Sequence, residues 1–224
     1  MNLRFLHAHA AHADVQQAWD DVLAQLRARH VRQVGLAPPL GCAYVRARHA
    51  AAAPSLLEAL RAVWPGISVT GCSGIGVSAT GIEYFDEPGL VVMLANIPRE
   101  QFMVFNGRSP LPREAAWAAL VHADGATPDL QELVDELSER LQSRYLFGGI
   151  AQGRERTVLL ADGVFDGGLS GVAFDAEVAL VSRVTQGCQP VGRSHSVPRA
   201  EGSVVLGLDA EPALAVLLRD LPLG

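Results

Sequence analysis

The chain has 224 residues, of which 49% are hydrophobic and 19% charged, so it is long enough for one large globular domain or two small ones. Its formal net charge is −6, and all 18 of its basic residues are arginine. An acidic chain without a basic block argues against nucleic acid or an anionic membrane as the main partner. The absence of lysine excludes a Walker-type phosphate loop and a lysine Schiff base. Scattered arginines such as Arg46, Arg48, Arg154 and Arg156 are interpreted as solvated ion pairs rather than as a binding patch.

The cysteines indicate a reduced compartment. Cys42, Cys72 and Cys188 lie far apart and are odd in number, which predicts free thiols in a cytoplasmic protein rather than a disulfide framework. There is no Cys-x-x-Cys pair, and His7 and His9 are interpreted as the polar face of a terminal strand, so neither a metal nor a cofactor is expected. The N-terminus lacks the apolar core of a signal peptide, and no apolar run approaches the roughly 20 residues of a membrane span.

The first 72 residues predict the order β-α-β-α-β, which is typical of a mixed sheet with crossover helices. Asp14 is suited to cap a helix, and apolar residues then recur with the period of one helix face until about His30. Pro54 suits the first turn of a second helix, which Pro65-Gly66 ends. The remaining predicted elements of this half are strands at 3–8, within 31–39 and at 67–71.

After Gly81 the sequence is typical of short strands joined by turns. The expected elements are strands at 82–85, 89–97, 101–107, 146–150, 157–161, 169–174, 177–184 and 202–208, a short helix within 112–121, an amphipathic helix from Thr127 to Leu141 and a terminal helix opened by Pro212. The predicted fold class is α+β: a β-α-β-α-β front half with a mixed sheet and an antiparallel β-rich back half, layered as an αβ sandwich with two sheets. We expect one domain over 1–210, followed by the terminal helix at 211–224. No sequence repeat with a period of 20 to 50 residues is found.

Three glycine-rich turns carry the candidate site. In chain order they are Gly71-Cys72-Ser73-Gly74, then Gly148-Gly149 with Gln152, then Gly187-Cys188-Gln189. Turns of this kind expose backbone amides and small hydroxyls to a polar ligand, and they often converge on one edge of a sheet. We therefore predict that ten residues line a shared ligand pocket: Gly71, Cys72, Ser73, Gly74, Gly148, Gly149, Gln152, Gly187, Cys188 and Gln189.

Two sharper motifs fit the first turn poorly. The run GIGVSA after Ser73 matches the dinucleotide pattern G-x-G-x-x-A, but a β-rich segment follows where that site needs a helix. The G-x-S-x-G pattern of a nucleophile elbow is missed by one position around Ser73. A catalytic thiol at Cys72 or Cys188 stays open as an alternative, with His195 as the histidine nearest to Cys188 in the sequence.

The turns and their flanking strands resemble the FIST family, whose members carry segments similar to VTGCSGIG, LVVMLANIP, LFGGIAQG, VFDGGLSGVAF and SRVTQGCQPVGRSHSVPRAEGSVVLGLDAEPAL. The similarity runs from the first strand to Leu218 and corresponds to the N-terminal domain of the family. The resemblance implies a bacterial intracellular sensory domain of signal transduction that binds small ligands, with amino acids as one proposed class. It also implies a partner, either a C-terminal FIST domain or a signalling output domain. The family has no settled catalytic residues, and Gln152 stands where relatives often have an acidic residue, which weakens the amino-acid interpretation.

The leading functional hypothesis is therefore a non-catalytic sensory domain that binds a small polar ligand. Two alternatives belong to other classes. One is an interaction module whose glycines serve only backbone packing, and the other is a cysteine-dependent enzyme that acts on a small substrate.

Overall fold

The structure, a computed structural model, describes residues 5–30, 39–153, 156–183, 187, 190 and 192–221. They form two compact units, Met1–Ala179 and Leu180–Gly224, which are described separately. The first unit holds three helices and twelve strands in its described residues. In chain order these are β1 (Phe5–Ala10), α1 (Val15–His30), β2 (Leu40–Arg46), a 3₁₀ segment (Ala47–Ala52) leading into α2 (Ala53–Val63), β3 (Ser68–Gly74), β4 (Val77–Ala79), β5 (Ile82–Tyr84), β6 (Leu90–Ala95), a 3₁₀ turn (Arg99–Gln101), β7 (Phe102–Asn106), β8 (Ala118–Asp124), α3 (Leu130–Glu139), β9 (Tyr145–Ala151), β10 (Leu159–Ala161), β11 (Val164–Phe165) and β12 (Leu169–Phe174).

The first helix begins where the sequence predicts it. The Asp14 carboxylate accepts the backbone amides of Gln16 at 2.7 Å and Gln17 at 3.2 Å, which satisfies two donors that the helix itself leaves unpaired. The apolar face of the helix then buries Trp19, Leu26 and the residues between them that face the sheet. Capping and periodicity together therefore fix this helix from local sequence alone.

Two sheets form the body of the first unit. The larger has the strand order β1-β6-β2-β3-β10-β11, and the smaller has the order β7-β12-β8-β9. The pairs β2-β3 and β8-β9 are parallel, and all other neighbouring pairs in these sheets are antiparallel. Strands β4 and β5 form a separate hairpin.

The two sheets pack face to face, with helices on both outer surfaces. Leu40 and Ala95 of the larger sheet cluster with Phe102, Val172 and Phe174 of the smaller one. Helices α1 and α2 cover the outer face of the larger sheet, and α3 covers that of the smaller sheet. The central strands β2, β6, β8 and β12 are thus buried on both faces, as their apolar sequences require. The predicted α+β fold with layered helices and two sheets is confirmed.

The first unit contains an internal structural repeat. The strand order β1-β6-β2-β3 is matched by β7-β12-β8-β9, with the same parallel and antiparallel pairings. In each copy a helix, α2 or α3, connects the parallel pair, and a hairpin, β4-β5 or β10-β11, precedes the strand that returns to the middle of the sheet. The pairing registers make Leu40 equivalent to Ala118 and Tyr44 equivalent to His122. Because equivalent residues of the two copies lie more than 50 positions apart, the sequence shows no repeat with a period of 20 to 50 residues.

The repeat is broken at one sheet edge. Strand β10 of the second copy pairs with β3 of the first, so that Leu159 lies opposite Cys72. On the equivalent strand β9, the outer edge pairs with no strand in the described part of the chain. Strand β9 is therefore an edge strand, whereas β3 is covered on both sides.

Two local predictions differ from the structure, and a third lies almost wholly outside the described residues. The short helix predicted within 112–121 is wrong, because Ala118–Asp124 forms β8 between β12 and β9, where buried small residues and sheet pairing override the helix preference of alanine. The strand predicted over 177–184 is absent from residues 177–183, the part that the structure describes. The strand predicted within 31–39 lies almost wholly outside the described residues, and β2, which follows it, was not predicted.

The prediction that the scattered arginines form solvated ion pairs is correct only in part. Arg156 forms an exposed ion pair with Asp166 at 2.6 Å, which agrees with the prediction of solvated pairs. Arg46 does not, because it is only 7% exposed and has no carboxylate partner among the described residues. Arg154 lies outside the described residues, the exposed Arg48 forms no ion pair with a described residue, and the prediction is thus wrong for Arg48 and for Arg46. The Arg46 side chain lies on the inner face of β2, two residues beyond Tyr44, where the facing residue of β3 is Gly74 and leaves room for it.

The second unit contains a small antiparallel sheet and one helix. Its elements are β13 (Arg199–Glu201), β14 (Val204–Leu208), β15 (Glu211–Pro212) and α4 (Ala213–Asp220), with sheet order β13-β14-β15. In α4 the side chains of Leu214, Leu217 and Leu218 are exposed, whereas Val216 is buried. None of the helices in the described ranges is long and apolar enough to cross a membrane.

His195 links two carboxylates of the second unit. Its Nδ1 lies 2.7 Å from a carboxylate oxygen of Asp209, and its Nε2 lies 2.6 Å from one of Asp220, the last residue of α4. Both ring nitrogens can donate only when the imidazole is protonated. The hydrogen bonds to Asp209 and Asp220 raise the pKa of His195, against smaller opposing effects of burial and of the Arg193 charge.

We expect this contact to weaken as the pH rises. Because the pKa of His195 in the folded chain lies above that of the unfolded chain, its contribution to stability is complete below the unfolded value of 6.5 and is lost as the pH rises through the folded value. Amide hydrogen exchange of α4 should accelerate over that range, and a histidine NMR titration should place the pKa of His195 above 6.5. The variant Asp220→Asn should lower that pKa. A wild-type His195 titrating at or below its ordinary value would contradict this account.

Candidate functional site

A cavity of about 490 Å³ lies at the carboxyl ends of β3 and β9, the strands that end the parallel pair of each repeat. Ligand sites of α/β sheets occur at this end of the strands, because there the chain turns away and leaves a crevice. The described lining residues are Tyr44, Cys72, Ser73, Gly74, Ile75, Gly76, Val77, Ser78, Leu120, His122, Gly148, Gly149, Ile150, Ala151 and Gln152. The two repeats therefore contribute one side of the cavity each.

Tyr44 and His122 form the polar floor of the cavity. The Tyr44 hydroxyl lies 3.1 Å from His122 Nε2, and the Thr70 hydroxyl lies 3.4 Å from Nδ1 of the same ring. Since Tyr44 and His122 occupy equivalent positions in the two repeats, this hydrogen bond joins the repeats where they meet. Burial lowers the pKa of His122 to about 4, so the ring is neutral near physiological pH.

The glycines of β9 shape one wall. At Gly148 the backbone has φ of +139°, and an added Cβ would overlap the carbonyl oxygen of Val121 in the neighbouring strand. At Gly149 the surroundings are open, because no atom lies within 4 Å of the place of an added Cβ. Gly71 of β3, equivalent to Gly148, has φ of +148° and would likewise overlap the Ala43 carbonyl oxygen. The two equivalent glycines allow close strand approach, and their neighbours face the cavity.

The first two predicted turns lie together. Cys72, Ser73 and Gly74 of the first turn and Gly148, Gly149 and Gln152 of the second line the same cavity, and Gly71 lies beside it in β3. Ser73 is fully buried, its hydroxyl accepts the Val158 amide at 2.8 Å, and its own amide donates to the Val158 carbonyl. The structure thus gives Ser73 a role in holding the chain next to β10.

The third predicted turn belongs to the second unit. Gly187 is exposed there, while Cys188 and Gln189 lie outside the described residues. Their part in a shared pocket stays a prediction.

The described cysteines are poor nucleophiles. Burial raises the pKa of both the Cys42 and the Cys72 thiol to about 12, so each stays protonated near physiological pH. The nitrogens of the nearby His122 ring are directed to Tyr44 and Thr70 rather than to a thiol. Among the residues with described placement, no group of three or more potential ligands is arranged to hold a metal ion.

Sequence reasoning missed Tyr44 and His122, the central polar pair. Each follows apolar residues near the carboxyl end of its strand, Tyr44 in GCAYV and His122 in AALVHAD. That local signal is also typical of a histidine or tyrosine satisfied within a core, so it does not distinguish the two cases. Only the packing of the two repeats brings these side chains into contact.

We expect His122 to make the fold less stable in acid. Because its pKa of about 4 in the folded chain lies below the unfolded value of 6.5, the unfolded chain takes up the proton first, and stability is lost as the pH falls from 6.5 toward 4. The loss should be at most about 1.4 kcal/mol per pH unit. Urea unfolding of the wild type and of His122→Asn measures it, since the variant should lose less stability over this range. Parallel pH profiles of the two proteins would be inconsistent with a buried neutral ring.

The fold and the cavity define a class of domain: a two-repeat sandwich of layers α, β, β and α with a cavity where the repeats meet. A model of the FIST N domain matches residues 39–211, and the chain belongs to this family. The family is one of sensory domains of signal transduction. The resemblance noted in the sequence is thereby confirmed.

Two relatives are similar over most of the chain. They are uncharacterized proteins from two strains of Mycobacterium tuberculosis, and each is 31% identical over 213 aligned residues. The alignment covers 88% of this chain and 55% of each relative. The chain thus spans about half the length of the curated relatives it matches.

Proposed function

We propose that the chain is a ligand-binding sensory module of a cytoplasmic signalling protein and that a small ligand occupies the cavity between β3 and β9. One observation carries the proposal: the first and second glycine-rich turns and the Tyr44–His122 pair line one cavity of about 490 Å³. A volume of this size suits a small molecule, and a mostly apolar lining with few convergent polar groups is typical of such sites. The proposed recipient of the signal is a C-terminal FIST domain or another signalling output domain.

The residues that line the cavity favour a ligand whose enclosed part is uncharged. Among the described lining residues none is acidic or basic, and His122 is neutral near physiological pH. A free amino acid would bring two charges into a site where none of these side chains can pair with them, and unpaired charges are costly to desolvate. The Tyr44 hydroxyl can instead exchange one hydrogen bond with a neutral polar group while it keeps its contact with His122.

A role in protein interaction is the second candidate, and the uncovered edge of β9 favours it. Ile150 and Tyr145 on this strand are 69% and 39% exposed. An edge strand with exposed apolar side chains can pair with a strand of another protein. A cysteine-dependent enzyme has less support, because the pKa of Cys72 is raised rather than lowered.

A thermal-shift screen tests the ligand proposal. We expect neutral aromatic and aliphatic compounds with one hydrogen-bonding group to raise the melting temperature more than free amino acids do, because a ligand that binds the folded chain stabilises it by mass action. Tyr44→Phe should weaken any compound found by about tenfold, the cost of one hydrogen bond. If no compound in any class stabilises the chain, while a partner protein protects β9 from hydrogen exchange, the interaction module is the better account.

A further inference from the structure

A second, smaller cavity of about 190 Å³ lies beside the first. It is lined by Arg46, Ala47, Arg48, Ile75 and Asp86. Ile75 lines both cavities, so the two are separated only by the turn that joins β3 to β4. In contrast to the larger cavity, this one is lined by two arginines and one aspartate.

The Arg46 guanidinium is the unusual feature. The residue is 93% buried, and its Nε donates to the Ile75 carbonyl at 3.0 Å. Its terminal nitrogens have no hydrogen-bond or ion-pair partner in the part of the chain that the structure describes. These terminal nitrogens are not among the fully enclosed polar atoms that lack a partner, so they stay accessible from the cavity. Their N–H groups are suited to bind two oxygens of one anion.

A second arginine lines the same cavity. Arg48 is exposed and likewise forms no ion pair with a described residue. Two unpaired arginines at one small cavity leave a positive charge that no described side chain within 4 Å neutralises. We propose that Arg46 and Arg48 bind a tetrahedral oxyanion that keeps a proton, namely hydrogen phosphate or the singly protonated form of a phosphomonoester. The second pKa of a phosphomonoester is about 6.

Asp86 is the reason why we expect the bound oxyanion to keep a proton. The residue lines the same cavity, and its carboxylate forms no ion pair within 4 Å with either arginine. A carboxylate repels a fully ionised anion such as sulfate but accepts a hydrogen bond from the P–OH group of hydrogen phosphate. Two arginines with one carboxylate therefore select for a protonated oxyanion. The carboxylate excludes sulfate, which has no proton to donate near neutral pH.

The site is independent of the proposed ligand cavity, although it adjoins it. The bound oxyanion is either free or the phosphate group of a larger molecule whose uncharged body reaches past Ile75 into the larger cavity. The free anion and the phosphate group of a larger molecule bind the arginines in the same way, but only the larger molecule also needs the larger cavity. Gly149→Leu, which fills that cavity from the opposite wall, separates them.

Calorimetric titration of the purified chain with inorganic phosphate, sulfate and phenyl phosphate at about pH 5.5 tests the proposal, because a phosphomonoester, whose second pKa is about 6, keeps a proton there and sulfate has none. We expect phosphate to bind and sulfate not to bind. Arg48→Gln should weaken phosphate at least about tenfold, as the loss of a charge-assisted hydrogen bond predicts. The matched control is Arg113→Gln, an exposed arginine that lines neither cavity and should leave phosphate affinity unchanged. Asp86→Asn should admit sulfate.

Three results would overturn the proposal. They are no heat of binding with millimolar phosphate, an equal effect of Arg48→Gln and Arg113→Gln, or sulfate binding to the wild type as tightly as phosphate. Phosphate binding that survives Gly149→Leu supports the site even if no ligand for the larger cavity is found, so the two proposals can fail separately. If phenyl phosphate binds more tightly than phosphate to the wild type but not to Gly149→Leu, the natural ligand is a phosphomonoester. If the two compounds bind the wild type equally, the ligand is the free anion.

Discussion

Replacing Gly71 or Gly148 with alanine is expected to destabilise the fold by at least about 3 kcal/mol each. Both residues have φ in the region that L side chains rarely adopt, +148° and +139°, and a Cβ at either position would overlap the carbonyl oxygen of the neighbouring parallel strand. The strands would have to separate at the centre of each repeat. Chemical denaturation followed by circular dichroism measures the loss for each variant.

The control for this prediction is Gly149→Ala. This neighbour of Gly148 lies in the same strand, has an ordinary φ and has no atom within 4 Å of an added Cβ. Its stability should change by less than about 0.5 kcal/mol, as for a substitution without a new contact. If Gly71→Ala and Gly148→Ala cost no more than Gly149→Ala, the close approach of the parallel strands would be refuted.

Gly149→Leu is expected to reduce the affinity of any cavity ligand at least about a hundredfold, which corresponds to about 2.7 kcal/mol. An added Cβ at Gly149 meets no atom within 4 Å, and the residue lines the cavity, so we expect the leucine side chain to occupy ligand volume. Calorimetry with a compound from the thermal-shift screen measures the loss, and urea unfolding checks that the variant is folded.

The matched control is Gly107→Leu, because Gly107 is also open around an added Cβ but lines a different cavity near α3. This variant should bind the compound as the wild type does. Unchanged affinity in a folded Gly149→Leu protein would place the ligand elsewhere and would remove the main support for the proposed function.

Local sequence was sufficient for features that depend on neighbouring residues. The cap at Asp14 and the helix that follows, the second helix after Pro54 and the glycine-rich ends of β3 and β9 could all be predicted. Each of these depends on hydrogen bonds or backbone conformations within a few residues, which composition and periodicity report directly. The family was also accessible from sequence, because its motifs are contiguous segments.

The tertiary structure alone decided which of these segments meet. Tyr44 and His122 are in contact only because two copies of one strand arrangement face each other, and pairing over such sequence distances leaves no local signal. The same packing turned the alanine-rich segment before Asp124 into a central strand and buried Arg46 beside a glycine. The sequence by itself determined the family, the fold class and the glycine-rich turns of this protein. Burial, which depends on the whole chain, decided where its polar and charged groups can act.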